Sequence, residues 1–437
     1  MKVSEQWTAR IVDKAMGKAQ SAQVALLEQE TSEVKFENSH LKSAESSQRT
    51  EIEVKVILND KVGVSTTTDP GDVDGVVSRA LAAAEFGNPV HYAMPGVGRL
   101  PAVKTFDPAL LQLAKPEMIQ LGQGMVEMIN SYNPEILTEA VISKTQQHVA
   151  FANSAGAVYA EEHTNFNVGA MGQLVRGTDI LFAGHSIGQK QRALDTEEIA
   201  ERTIEHFRMA ERIAPVQSGE MPVIFTPAGL FALLLTLGLG LDGKNVYLGA
   251  SPLGDKLGQP VADSRFTIVD DPFIDFGPNT SAFDNEGVVR QVTPLIEDGV
   301  LRNFVYDLET AGRSSTRPTG HGFDRQHTNL VVKPGDVPFM QMLRGIRQGL
   351  LVHDFLGLGQ GNPINGEFSV NVFLGYMIEN GEITGRVKDV MLAGNAYQAL
   401  KDIAVISEER DWVSGPYAYQ NYLAPYIQVG KLSVIAK

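Results

Sequence analysis

The 437-residue chain contains no cysteine. Disulfide bonds, thiolate nucleophiles and cysteine-ligated zinc sites are therefore excluded. No histidine is followed directly by glutamate, so the H-E-x-x-H motif of zinc peptidases is also absent. Basic residues are few, with 37 lysines and arginines against 52 aspartates and glutamates, for a formal net charge of −15. Because docking on phosphate backbones needs clustered positive charge, we do not expect direct binding to nucleic acid.

Long apolar runs are lacking as well. The longest, residues 228–241, covers only 14 positions and includes three glycines. It is too short for a membrane helix and predicts a buried helix of a soluble protein. The first residues lack the apolar core of a signal peptide. We therefore expect a cytoplasmic protein without a membrane segment.

The length of the chain predicts more than one domain, and its hydrophobic and charged fractions of 43% and 20% are those of a globular protein. We predict an α+β protein in three parts. Residues 1–110 form a first α+β domain that ends in a proline-rich linker. Residues 111–215 form a second α+β domain, with a meander and flanking helices. Residues 222–437 form a mostly-β domain, either a sandwich or a partly closed barrel.

Periodicity places the N-terminal elements. Trp7, Ile11 and Ala15 predict an opening amphipathic helix, whose pattern Val24 and Leu27 extend. Residues 51–58 alternate at period two and predict a strand. Helices are predicted over residues 72–86, 116–131 and 197–213, with an antiparallel meander over 138–175.

Two hairpins are the strongest signals in the C-terminal part. Asn380-Gly381 and Asp298-Gly299 each lie between apolar strand patterns and favour two-residue turns with positive φ. Thr226-Pro227 predicts the N-cap and first turn of a helix that runs into Gly238 and Gly240. That glycine-rich end matches G-x-G-x-x-G, but it closes a helix, so it does not predict a dinucleotide site.

Two further motifs carry potential chemistry. Ser186 stands in a G-x-S-x-G pattern, but no helix pattern starts directly after it, so a glycine-containing loop is favoured over a nucleophile elbow. His321 and His327, with Asp324 between them, are the nearest approach to a metal-ligand group, yet their spacing fits no standard arrangement and a surface loop is favoured. Asp270-Asp271 and the run Glu161-Glu162-His163 are interpreted as solvated turn or strand-end residues.

Several segments in order resemble the TldD/PmbA family, the so-called modulators of DNA gyrase, over nearly the full length. The family includes zinc peptidases and metal-free partner subunits. The resemblance rests on Gly375-Tyr376-Met377-Ile378-Glu379-Asn380-Gly381-Glu382-Ile383 with Ala393-Gly394-Asn395, on Asp270-Asp271-Pro272, on Phe283-Asp284-Asn285-Glu286-Gly287, and on Thr328-Asn329-Leu330.

The catalytic branch of that family has an H-E-x-x-x-H helix and a cysteine ligand. Gly240-Leu241-Asp242-Gly243 resembles the stretch that trails this motif, which places Leu234, Leu235 and Leu239 at the positions of its His, Glu and second His. Leucine can neither ligate zinc nor move a proton. The resemblance therefore implies the PmbA/TldE-like, metal-free branch, with no catalytic residue, no metal ligand and no cofactor in this chain.

The expected role is that of a non-catalytic subunit. Zinc is expected only in a TldD-like catalytic partner, and the two together would cut extended, unfolded peptides held along strand edges. One alternative is a homodimeric binding or scaffold protein without peptidase activity. A less favoured one is a serine hydrolase that uses Ser186.

Overall fold

The structure is a computed structural model and describes residues 3–192, 195–358, 362–418 and 420–436. The fold is mixed α+β, which confirms the class predicted from the sequence. About 23% of the residues are in helices and 41% in strands. Within the described residues, no helix combines the length and apolar character needed to cross a membrane.

Six antiparallel strands form an N-terminal sheet that curves into half a barrel. They are β1 (Ser21–Glu37), β2 (His40–Leu58), β3 (Lys61–Thr67), β4 (Leu137–Asn153), β5 (Val158–Arg176) and β6 (Asp179–Gln189). Their order across the sheet is β3-β2-β1-β4-β5-β6. Alternation explains the strand predicted over residues 51–58, because Ile52, Val54 and Val56 all point into the core.

Five helices accompany this sheet: α1 (Val3–Met16), α2 (Val73–Glu85), α3 (Pro108–Leu111), α4 (Lys115–Tyr132) and α5 (Thr196–Met209). The helices predicted over residues 72–86, 116–131 and 197–213 are confirmed as α2, α4 and α5, with ends that differ by up to four residues. The predicted meander is confirmed as β4 and β5. The predicted extension of the first helix is wrong, because Val24 and Leu27 belong to β1. Gly17 ends α1, and β1 then pairs with β2 on one side and β4 on the other.

Eleven strands form the C-terminal sheet. They are β7 (Gly219–Phe225), β8 (Ile268–Asp270), β9 (Thr293–Glu297), β10 (Val300–Leu301), β11 (Leu330–Val332), β12 (Gln348–Leu356), β13 (Glu367–Glu379), β14 (Glu382–Arg386), β15 (Val390–Asn395), β16 (Ile403–Val413) and β17 (Tyr422–Ala436). The path β17-β15-β13-β12-β7 returns to β17, which closes a five-stranded barrel. Of the two predicted architectures, the barrel is the one found.

The C-terminal helices are short: α6 (Phe231–Leu241), α7 (Gly243–Tyr247), α8 (Leu308–Arg313), α9 (Phe339–Arg344) and α10 (Ala396–Lys401). A single 3₁₀ turn covers Pro363–Asn365. The buried leucines of α6 belong to the same hydrophobic core as the barrel strands.

Both predicted hairpins are confirmed. Asn380 and Gly381 have φ values of 51° and 81°, and Asp298 and Gly299 have 48° and 78°. Positive φ at both central positions is the geometry that matches the twist of the flanking strands.

The predicted division at residue 110 stays a prediction, but both predicted N-terminal parts supply strands to one sheet. β1 pairs with β4 over 14 residues, from Gln23 opposite Asn153 to Phe36 opposite Ala140. A second core joins the N-terminal and C-terminal sheets, with Ile224, Leu351 and Tyr376 packed among residues of α4 and α5. Two cavities lie where the sheets meet.

Candidate functional site

Helix α6 holds Leu234, Leu235 and Leu239, the three positions that were predicted to correspond to those of a zinc helix. Leu234 is buried, whereas Leu235 and Leu239 are partly buried. None of the three side chains offers a ligand atom, so this turn of helix contributes packing to the barrel core. The correspondence with a zinc helix itself stays a prediction.

The predicted start of this helix at Thr226 is wrong. The helix begins at Phe231, and residues 227–230 form a turn. The backbone N–H of Thr226 donates to Val352, and the Thr226 hydroxyl accepts from the N–H of Gly229 at 3.1 Å. Thr226 therefore prolongs the pairing of β7 with β12, and this delays the helix by one turn.

Ser186 lies within strand β6 and not at a strand-to-helix turn. Its hydroxyl donates to the backbone carbonyl of Ser414 at 2.8 Å. The strand continues to Gln189, and the next helix begins at Thr196. The strained turn that exposes a nucleophilic serine is therefore absent at this position.

The first cavity, of about 530 Å³, is largely apolar and contains three imidazoles, those of His185, His206 and His353. The rings of His206 and His353 lie 4.1 Å apart between centroids. His206 Nδ1 is 2.8 Å from the Tyr376 hydroxyl, and His353 Nδ1 is 3.0 Å from the Thr226 hydroxyl. Burial lowers the pKa of His185 to about 4 and that of His353 to about 3. The cavity therefore holds neutral imidazoles at physiological pH.

The second cavity, of about 900 Å³, is more polar than the first and is lined by many charged and polar side chains. It lies between the inner face of the N-terminal sheet and the loops of the C-terminal part. The sheet contributes Gln147, Glu161, His163 and Asn165, and Lys190 follows directly after β6; the loops contribute Asp284, Arg290, His321, His327 and Thr328. We call it the polar cavity.

A buried chain of ionisable groups forms one wall of the polar cavity. Lys190 Nζ lies 3.2 Å from His163 Nδ1, and His163 Nε2 lies 3.3 Å from Glu161. Glu161 also accepts from the backbone N–H of Ala282 at 2.8 Å and from the hydroxyl of Ser281 at 3.0 Å. The interpretation of Glu161 and His163 as solvated residues is therefore wrong, since both side chains are less than a tenth exposed.

Burial sets the charge state of this wall. It lowers the pKa of Lys190 to about 8 and also lowers the pKa of His163. Burial alone would raise the pKa of Glu161, but the contacts from His163, Ala282 and Ser281 together outweigh burial and the pKa is lowered. The wall can therefore change its protonation close to neutral pH, through Lys190.

Asp270, His321 and His327 form a second group at this cavity. His321 Nε2 and His327 Nδ1 each lie 3.0 Å from the same oxygen, Oδ2 of Asp270. The other oxygen, Oδ1, accepts from the hydroxyl of Thr328, and the N–H of Thr328 is shared between Oδ1 at 3.1 Å and Oδ2 at 2.9 Å. Burial alone would raise the pKa of Asp270, but the hydrogen bonds from the two histidines hold it far below its usual range.

This geometry corrects three interpretations. Asp270 is not solvated, because its side chain is 1% exposed. His321 and His327 are not on a surface loop, since their side chains are 3% and 7% exposed. Asp324, which the sequence placed with them, is exposed, and Asp270 takes its place 51 residues upstream of His321.

The loops behind this group are held by another buried carboxylate. Asp284 accepts backbone N–H groups from Glu286, Val288 and Gly322 at 2.8–2.9 Å. Burial raises the pKa of Glu286 to about 7, with Lys55 at 4.0 Å as its nearest cation. These contacts fix the segment that carries His321.

Comparison with known proteins agrees with the architecture. A family model for the PmbA/TldA metallopeptidase C-terminal domain matches residues 218–436, and one for domain 1 of the same metallopeptidases matches residues 22–84. The chain is similar to a metalloprotease of Methanothermobacter thermautotrophicus, with 27% identity over 393 residues and 85% of each chain covered. It is also similar to metalloprotease PmbA of Escherichia coli O157:H7, with 24% identity over 429 residues, covering 93% of this chain and 92% of that one.

The fold matches a solved structure over its whole length. The crystal structure of TldE from Thermococcus kodakarensis superposes with a TM-score of 0.90 at 21% identity, covering 99% of this chain and 100% of that one. At 21% identity this match establishes the fold alone. Membership of a family is established by the family models. The chain is a member of the PmbA/TldD family.

Proposed function

We propose that this chain is the non-catalytic, PmbA/TldE-type subunit of a peptidase whose zinc-bearing subunit is TldD-like. The partner supplies the zinc ion and the water-activating glutamate. This chain completes the chamber and holds extended, unfolded peptide. The cytoplasmic location expected from the sequence is part of this proposal.

The observation that carries the proposal is the chemistry of α6. A zinc helix presents two imidazoles and a carboxylate, whereas the family resemblance assigns Leu234, Leu235 and Leu239 of α6 to these positions. The sequence has no cysteine to serve as the remaining ligand. Family membership supports a role in a peptidase. The leucines of α6 support the proposal that a partner subunit cleaves the peptide.

Strand edges support peptide holding. The part of β2 from His40 to Thr50 pairs with β1 on one side, and β3 pairs only from Ile52 onward. The other edge of that stretch therefore has no neighbouring strand among the described residues. An extended peptide can add to such an edge through backbone hydrogen bonds.

The experiment reconstitutes the pair. This chain, a TldD-like subunit and the mixture are each assayed on an unfolded peptide. We expect cleavage by the mixture, its loss with a chelator, and its loss when the partner's zinc-helix Glu is replaced by Gln. Ser186→Ala in this chain should leave cleavage unchanged. Cleavage by this chain alone, free of contaminating peptidase, would overturn the proposal.

The polar cavity favours a second candidate, a homodimeric binding protein that needs no peptidase partner. A cavity of about 900 Å³ with several convergent charged groups has the size and chemistry of a ligand site. The two candidates separate in a pull-down, since only the first predicts capture of a subunit that carries H-E-x-x-x-H.

A further inference from the structure

The group Asp270, His321 and His327 has the composition of a metal site. Each residue offers one ligand atom, and the three atoms lie within 4.8 Å of one another. Two imidazoles with one carboxylate is a ligand set that Zn²⁺ and similar divalent transition metals prefer, whereas Mg²⁺ and Ca²⁺ favour oxygen ligands alone. The three residues come from β8 and from the loop before β11, so only the fold brings them together.

The spacing of the ligand atoms suits a shared ion. Both imidazole nitrogens lie 3.0 Å from the same carboxylate oxygen. Ligands about 2.1 Å from one tetrahedral ion are separated by roughly 3.4 Å, a few tenths of an ångström more than these two distances. The side chains therefore need little movement to enclose a metal ion.

Outer contacts hold each ligand in place. The hydroxyl of Thr328 donates to Oδ1 of Asp270, and the N–H of Thr328 is shared between Oδ1 at 3.1 Å and Oδ2 at 2.9 Å, so Thr328 sets the orientation of the carboxylate. His321 Nδ1 lies 2.9 Å from the hydroxyl of Thr319. Metal-bound histidines commonly use their second nitrogen in this way, to an acceptor that orients the ring.

The protons around Thr319 distinguish two states of the group. When its hydroxyl donates to the Tyr306 carbonyl, 3.1 Å away, it accepts Nδ1–H from His321. Neutral His321 then turns a lone pair on Nε2 toward the Asp270 carboxylate, which is unfavourable unless a proton or a metal cation lies between them. When the hydroxyl donates to Nδ1 instead, Nε2–H donates to Asp270 and the group is satisfied without metal.

The group also has an open side. His321 and His327 both line the polar cavity, from which water can reach a bound ion. Three protein ligands with one position open to water is a common zinc arrangement.

We propose that Asp270, His321 and His327 bind one divalent transition metal ion, with Zn²⁺ the best match, at the wall of the polar cavity. This site is separate from the α6 positions that correspond to a catalytic zinc helix. It replaces the expectation that the chain carries no metal of its own, and it does not depend on the proposed partner subunit.

The test uses the full chain alone, stripped with a chelator and titrated with Zn²⁺ by calorimetry and with Co²⁺ by visible absorption. We expect one equivalent to bind, and binding to be lost in Asp270→Asn, His321→Gln and His327→Gln. Thr319→Val, which removes only the orienting hydroxyl, should weaken binding about 10- to 100-fold. His40→Gln, at an exposed histidine, is the matched control and should bind like the unaltered chain.

Two results would overturn the proposal. Absence of stoichiometric binding to the unaltered chain would show a metal-free hydrogen-bonded group. Equal binding by the three ligand variants would show adventitious metal elsewhere. Circular dichroism checks each variant for folding, and if Asp270→Asn unfolds, then His327→Gln, at the cavity wall, and Thr319→Val decide.

Discussion

The ammonium group of Lys190 lies 3.2 Å from Nδ1 of His163. Because an ammonium group can only donate, Nδ1 must accept, and neutral His163 carries its proton on Nε2. That proton points to Glu161, 3.3 Å away. The contact therefore determines the tautomer of His163 and links a buried cation to a buried anion through a neutral ring.

Lys190→Met should change how stability depends on alkaline pH. Burial lowers the Lys190 pKa to about 8 from 10.5, so between these values the unfolded chain binds more protons than the folded one. Stability therefore rises with pH in this window, by roughly 2 kcal/mol between pH 8 and pH 10. Lys190→Met should lack this gain in urea unfolding. Lys401→Met, at an exposed lysine, should keep it, and an equal gain in Lys190→Met would contradict the assignment.

His353→Gln should reduce the sensitivity to acid. Burial lowers the pKa of His353 to about 3, so below about pH 6.5 the unfolded chain takes up a proton that the folded chain does not. Stability falls with decreasing pH by about 1.4 kcal/mol per unit for this group. Unfolding measured at pH 7, 6 and 5 should show a slope shallower by that amount in the variant. His40→Gln should retain the original slope.

Leu234→Asn should be strongly destabilising. Leu234 is 2% exposed in the barrel core, and an amide there has no partner to replace water. We expect a loss of about 3–5 kcal/mol in urea unfolding. Leu239→Asn, on the partly buried side of the same helix, should cost about 1–2 kcal/mol. A similar loss in the free energy of unfolding for both variants would show that the Leu234 side chain does not pack in the core.

Gly381→Ala should destabilise the hairpin of β13 and β14. Gly381 has φ of +81°, and a Cβ there would lie 2.8 Å from Cα of Arg344. The left-handed conformation alone costs a non-glycine residue about 1–2 kcal/mol. Gly249→Ala is a matched control, because Gly249 has φ of +69° but nothing within 4 Å. We expect Gly381→Ala to lower the midpoint of thermal unfolding by more than the control does.

The sequence predicted those parts of the fold that depend on neighbouring residues. The turns at Asn380-Gly381 and Asp298-Gly299 follow from local chemistry, and so do the helices over residues 72–86 and 116–131. The first helix was predicted too long, because Val24 and Leu27 continue its spacing, and only the pairing of this segment with β2 and β4 makes it a strand. Thr226 caps a turn through Gly229, but its N–H is bound to Val352, over 120 residues away, and the helix begins only at Phe231.

The candidate site was largely missed, for the same reason. Asp270 precedes a proline-containing turn and resembles a solvated residue in sequence. Its burial depends on His321 and His327, which the chain supplies more than 50 residues later. The signal in the sequence was the pair His321 and His327. Asp270, the third residue of the group, could not be identified from spacing.

The pairing of β7 with β17 has a consequence for how the protein reaches its native state. Ile224 and Gln428 are register partners across the closing seam of the barrel, although about 200 residues separate them in the chain. Contacts of such high sequence separation form slowly, since the loop-closure entropy must be overcome first. The hairpins β4–β5 and β5–β6 need no such search. Refolding should therefore be slow and should end with this seam, leaving the two apolar strands exposed to aggregation until they meet.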